Sequence, residues 1–146
     1  MTRASVPQRV ITSEAANAAV TAAVAAAARL GIKVNVAVVD PGGTLCAFLR
    51  MPGAFLESVG IAIDKARTSA GFGIPSAMLY GILKDNRALE LGIGTRQGLA
   101  IYGGGLPLMD GDERIGGIGV SGGSEAQDLE CAEAGIAAIA AMARAT

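Results

Sequence analysis

Residues 103–128 read GGGLPLMDGDERIGGIGVSGGSEAQD, and this run restricts the fold more than any other part of the chain. It joins a tight turn, a strand laced with glycine and a glycine loop that opens straight onto a helix. Gly116, Gly117 and Gly119 strip side chains from the strand. A strand interior accepts that loss where another backbone or a ligand must come close, so the glycines serve either close packing or ligand approach. Gly122 and Gly123 free the backbone to turn, and Ser124 with Gln127 has the S-x-x-Q form of a capping box. The helix that begins there aims its first N–H groups and positive dipole end back at the loop, an arrangement that suits a carboxylate or phosphate oxygen. Ser121, Gly122, Gly123 and Ser124, with Gly104 and Gly105 of the preceding turn, are therefore candidate ligand-binding positions. Gly117, Gly119 and Gly122 also satisfy G-x-G-x-x-G, but no second strand or acidic residue follows to hold a ribose, which excludes a dinucleotide fingerprint.

The rest of the chain supplies the partners for this strand. Thr12 caps a helix that runs to residue 30 with Gly31 as its stop. Residues 34–39 form a buried strand, and Asp40-Pro41-Gly42-Gly43 turns it into a hairpin with residues 45–51. Residues 56–71 read as a helix, and Pro75 opens a shorter one to about residue 84. The glycine-broken stretch 86–94 reads as loop, and residues 97–102, 106–109 and 113–120 as three further strands. A last helix over 125–143 buries Leu129, Ala132, Ile136, Ile139 and Ala143. Helix, hairpin, two helices, three strands and helix lack βαβ alternation, so the expected class is α+β: a roughly five-stranded antiparallel sheet with helices against it. The 146 residues are expected to form a single domain behind an N-terminal tail over 1–11.

Composition narrows the partners. Apolar residues make up 51% but aromatic residues only 3%, so the core is built of small side chains and closely spaced backbones, which points to further burial by self-association. Twelve basic and thirteen acidic residues are spread along the chain, leaving no electrostatic footprint for nucleic acid or an anionic membrane. The Ala-rich run 15–28 is too short to span a bilayer and contains Asn17 and Thr21. A soluble, cytoplasmic protein is expected, with Cys46 and Cys131 as free, partly buried thiols. No histidine is present, which removes the usual near-neutral proton shuttle and the usual metal and haem ligand. A haem would fall to Met51, Met78, Met109, Tyr80, Tyr102, a cysteine, or no strong ligand at all.

Three segments together resemble a known group: VVDPGGTLCAFLRMPGA (38–54), DKARTSAGF (64–72) and the glycine-rich run. They are similar to the GlcG and HbpS group, the haem-degrading family, which includes the C-terminal domain of PduO adenosyltransferases. The resemblance covers nearly the whole chain. It implies a profilin-like antiparallel sheet covered by helices, homo-oligomers from dimers upward, and ties to haem binding, to glycolate and diol operons, or to turnover of small unsaturated organic acids. One departure is that Pro52 stands where the family's R-M-x-G-A motif usually carries Asp.

For chemistry the leading expectation is a small anionic organic ligand handled without cofactor by acid–base catalysis, as in a tautomerase or hydratase. Lys65 and Asp128 would move protons, Arg50 would grip a carboxylate, and Arg67 would be a further ligand-binding residue, with burial near Arg67 or Arg50 lowering the Lys65 pKa. The alternatives are a haem-binding or haem-sensing protein without catalysis, and an accessory protein whose surface matters more than its pocket. On the residues alone, Lys65 is equally read as a solvated or salt-bridged helix lysine pairing with Asp64 or Glu57, Arg50 as a structural partner of Asp128 or Glu57, and Asp128 as a carboxylate that favours the helix dipole.

Overall fold

The computed structural model describes residues 2–145. Helix α1 (Ser13–Leu30) begins where Thr12 Oγ1 accepts the Ala15 N–H at 3.1 Å and ends at Gly31 in the left-handed region, φ 72°. It buries a stripe of small residues: Ala16, Ala19, Val20, Ala23, Ala26 and Ala27. Strand β1 (Asn35–Val39) is buried along its whole length. It turns through Asp40, whose Oδ1 accepts the N–H groups of Gly42 and Thr44, into strand β2 (Leu45–Arg50). Helix α2 (Glu57–Phe72) follows, then a 3-10 turn (Ser76–Met78), α3 (Leu79–Leu83) and α4 (Arg87–Gly94). Strands β3 (Gly105–Asp110) and β4 (Glu113–Ser121) and helix α5 (Glu125–Ala145) complete the chain.

The strands form one antiparallel sheet in the order β2-β1-β4-β3. Helices α1 and α5 cover one face over Val34, Val36, Val38, Ile118 and Val120. Helix α2 covers the other over Ala37 and Val39 through its Ala62, Ala66 and Ala70. The α+β class stands, with four strands where about five were expected. Residues 97–102 are not a strand: Gly98 turns the chain at φ 83°, and the Ala100 N–H is donated at 2.8 Å to Thr68 Oγ1 on α2 instead of to a strand partner. The stretch expected as loop contains α4, because Asn86 Oδ1 accepts the Leu89 N–H and caps it.

Gly117 and Gly119 decide the packing reading of the glycine strand. A Cβ on Gly117 would press into Ala66 O and lie 2.9 Å from Ala70 N, and one on Gly119 would press into Ala62 O, so α2 rests directly on the β4 backbone. On the opposite face α5 approaches α1 at Gly135, where a Cβ would lie 3.1 Å from Ala19 O. Its buried positions are therefore Asp128, Cys131, Ala132 and Gly135. Leu129, Ile136 and Ile139 are only half-buried and Ala143 is exposed, which corrects the expected stripe.

Candidate functional site

Lys65 projects from the sheet-facing side of α2 and is 2% exposed. Its Nζ donates to Val120 O at 2.8 Å and to Asp128 Oδ2 at 3.0 Å. It also lies 5.5 Å from the centre of the Tyr102 ring, within cation–π range. Asp128, equally buried, accepts the Gly123 N–H through Oδ1 at 2.8 Å. The pair thus ties α2, the end of β4, the glycine loop and α5 together. Burial raises the Tyr102 phenol above its ordinary value, with Asp64 adding to the rise, so it stands beside the ammonium as a neutral hydroxyl.

The expected glycine positions surround this pair and are filled by it. A Cβ on Gly104, φ 121°, would meet Val120 O at 2.6 Å and Lys65 Nζ at 2.7 Å, and Gly105 lies against Lys65 O. The Gly105 N–H is donated to Ser76 Oγ and the Gly103 N–H to Glu125. The capping box is present, with the Ser124 N–H on Gln127 Oε1 at 3.0 Å and the Gln127 N–H on Ser124 Oγ at 3.2 Å. Two N–H groups of the helix mouth, at Gly123 and Ser124, are therefore held by the chain's own Asp128 and Gln127.

Arg50 and Ser121 come together in another way. Asn35 pairs with Arg50 across β1/β2 and with Ser121 across β1/β4, and opposite residues of an antiparallel ladder share a face. Arg50, Asn35 and Ser121 thus form one row at the end of the sheet on the α2 side. Arg50 is exposed and donates to Ala54 O at 3.0 Å. Asn35 donates to Phe55 O, while its Oδ1 is buried without a partner. Sequence reasoning missed this residue. Its signal was an amide inside the otherwise apolar run Val34-Asn35-Val36. Arg67 is set apart: two positions on from Lys65, it leaves α2 on the exposed side and lies beside Gly43 and Gly98.

Among the described residues no group of His, Cys, Asp or Glu has the arrangement to hold a metal ion. The thiols are free. Cys46 is exposed, not partly buried as expected, and Cys131 is buried, its thiol pushed up to about 11 first by burial and then by Asp128 and Glu130. The larger cleft described, about 610 Å³, lies between residues 9–12, β3 and the second half of α5, and neither it nor the smaller one borders Lys65.

Comparison with known proteins agrees with this architecture. Residues 11–137 match the family described as haem degrading protein HbpS-like. The chain belongs to the HbpS-like family. Salmonella typhimurium corrinoid adenosyltransferase PduO is a 38% identical relative of this HbpS-like chain over 119 residues, which make up 81% of the chain but 35% of PduO. The chain thus spans about a third of the length of that relative. The structure of Klebsiella pneumoniae protein ORFY superposes with a TM-score of 0.89 at 29% identity, covering 97% of this chain and 98% of the other. A PduOC chain crystallised as a heme complex superposes with a TM-score of 0.82 at 33% identity, covering 88% of this chain and 94% of the other. Among the described residues of this HbpS-like chain, no helix is long and apolar enough to cross a membrane.

Proposed function

We propose that this chain is a haem-binding protein and that the macrocycle lies in the 610 Å³ apolar groove. The observation that carries this reading is the likeness, at 33% identity over 88% of the chain, to a protein crystallised with heme. The donor set departs from the usual nitrogen ligand. Met51 Sδ already accepts the Val34 N–H at 3.4 Å and is half-buried, and Cys131 is sealed in the core. The groove itself offers the sulfurs of Met109 and Met142, with Ile136 and Ile139 as apolar walls and Arg9 at its rim. Those residues supply burial and two candidate soft ligands, while Arg9 would meet a propionate only by leaving its 2.8 Å ion pair with Asp110, which lines the same groove. Bound haem would supply the redox and gas-ligand chemistry of its iron, while the chain holds it and excludes water. Free thiols suit a reducing, cytoplasmic location. Exposed Phe55 and Leu56 are apolar surface that a homo-oligomer would cover.

Titration with haemin tests this. The expected result is saturable binding with a broad absorbance change, lacking the sharp low-spin spectrum of nitrogen ligation. Met109→Ala should shift that spectrum and Ile139→Glu should abolish binding. Haemin uptake that ignores both substitutions, or no saturable uptake, rejects the groove.

A second reading rests on the unpartnered Asn35 Oδ1. A buried amide oxygen in a row with Arg50 and Ser121 lacks a donor, and the hydroxyl of a small hydroxy acid would supply one while Arg50 took its carboxylate. Lys65 and Asp128, paired with each other and closed off from both clefts, would serve a cofactor-independent reaction as proton-transfer groups only if that pair opened to the ligand. In a screen of hydroxy and unsaturated acids, Asn35→Ala and Arg50→Lys should each weaken binding about tenfold or more for any acid that is bound. Unchanged affinity in both variants would show that the row is structural.

A further inference from the structure

We infer that Arg67 and Arg96 form an oxyanion-binding site in a second cleft, separate from the apolar groove and from the Arg50–Asn35–Ser121 row. This cleft, about 230 Å³, lies where the β1–β2 turn, the exposed side of α2 and the loop after α4 meet. Pro41, Gly42 and Gly43 line one wall, Gly98 and Leu99 the other, and the two arginines border it.

The construction around Arg67 is specific. Gly43 and Gly98 both have positive φ, 87° and 83°. A Cβ on Gly43 would lie 3.5 Å from Arg67 Nε, and one on Gly98 would lie 2.9 Å from Nη1 and 3.1 Å from Cζ. The guanidinium therefore lies between two turns whose positive φ favours glycine, and at Gly98 a side chain would crowd it. Gly98 is fixed in turn by the Ala100 N–H on Thr68 Oγ1, one residue along α2 from Arg67.

Neither arginine has a carboxylate in ion-pair range among the described residues, whose ion pairs are Arg9–Asp110 and Lys65–Asp128. Asp64 feels the Arg67 charge, which lowers its carboxyl, but burial outweighs this and its net shift is upward. Asp40, at the same turn, spends its Oδ1 on the Gly42 and Thr44 N–H groups. Two like charges on one small cleft repel each other, and a bound anion converts that repulsion into two charge-assisted contacts. The volume falls below the roughly 300 Å³ at which drug-sized pockets begin, so the ligand is compact: the phosphate or carboxylate group of a small molecule.

The test uses the full chain at constant ionic strength, with inorganic phosphate and acetate as probes, followed by amide NMR and calorimetry. The expected result is saturable binding of at least one probe, with shifts centred on Gly42, Gly43 and Gly98. Arg67→Gln with Arg96→Gln should weaken that binding at least tenfold without changing the fold, since both side chains are exposed. Phosphate alone binding identifies a phosphate ester; acetate binding as well identifies a carboxylate. Gly98→Ala, which displaces the guanidinium, should weaken binding although it removes no charge. Binding that persists in the double variant, or no binding by either probe, overturns the site.

Discussion

Gly119→Ala is expected to cost about 4 kcal/mol or more, the scale of severe overpacking and a large part of a stability of only about 5–15 kcal/mol. The added methyl would press into Ala62 O, lie 2.5 Å from Ala66 N and 3.0 Å from Lys65 Cβ, and every one of these belongs to α2. Relief by moving the strand is blocked, because Gly119 sits in two ladders at once, opposite Ala37 of β1 and Gly105 of β3. Relief by moving the helix is blocked too, since Lys65 is anchored to Val120 O and Asp128. Gly60→Ala and Gly71→Ala, on the same helix with nothing within 4 Å of the new methyl, make the matched controls. They should be neutral or stabilise by about 0.5–1 kcal/mol through helix propensity. Urea unfolding of the three variants decides the point. Wild-type stability in Gly119→Ala would mean that α2 does not lie on the β4 backbone.

Local chemistry made much of this fold legible. Thr12 and Gly31 bound α1, the Asp40-Pro41-Gly42-Gly43 turn sets the hairpin, and Ser124 with Gln127 opens α5, because each acts on neighbours within a few residues. Apart from α4, whose Asn86 cap is local, the misread elements were settled by distant partners. Residues 97–102 have strand composition, yet the outer partner of β4 is β3, and Thr68 of α2 takes the Ala100 N–H. In α5 the buried side is chosen by the close approach of Ala19 to Gly135, so small residues face inward and the isoleucines lie at the margin. The site shows the same division. Gly122 to Ser124 were visible as a helix mouth. That Asp128 would occupy one of its N–H groups while holding Lys65 depends on a contact 63 residues apart. Asn35 gains its interest only from being buried with an idle oxygen, a property of the assembled sheet.

Breaking the Lys65–Asp128 pair from either side is the second large effect expected. With both side chains only 3% exposed, Lys65→Met is not a surface change. Lys65→Met leaves a buried carboxylate with the Gly123 N–H as its remaining partner, and Asp128→Ala leaves a buried ammonium facing Val120 O and the Tyr102 ring. Each single substitution should cost about 3–5 kcal/mol, and added salt should change this little because the pair lies out of solvent. The double variant Lys65→Met/Asp128→Leu removes both charges while filling similar space, and should recover most of that loss. Equilibrium unfolding of the two singles and the double gives the coupling directly. Singles within about 1 kcal/mol of wild type would show that the ammonium reaches water and is free for proton transfer. A recovered double variant that still turned over an acid would separate the ion pair from catalysis, because its fold would be intact while both proposed proton carriers were gone.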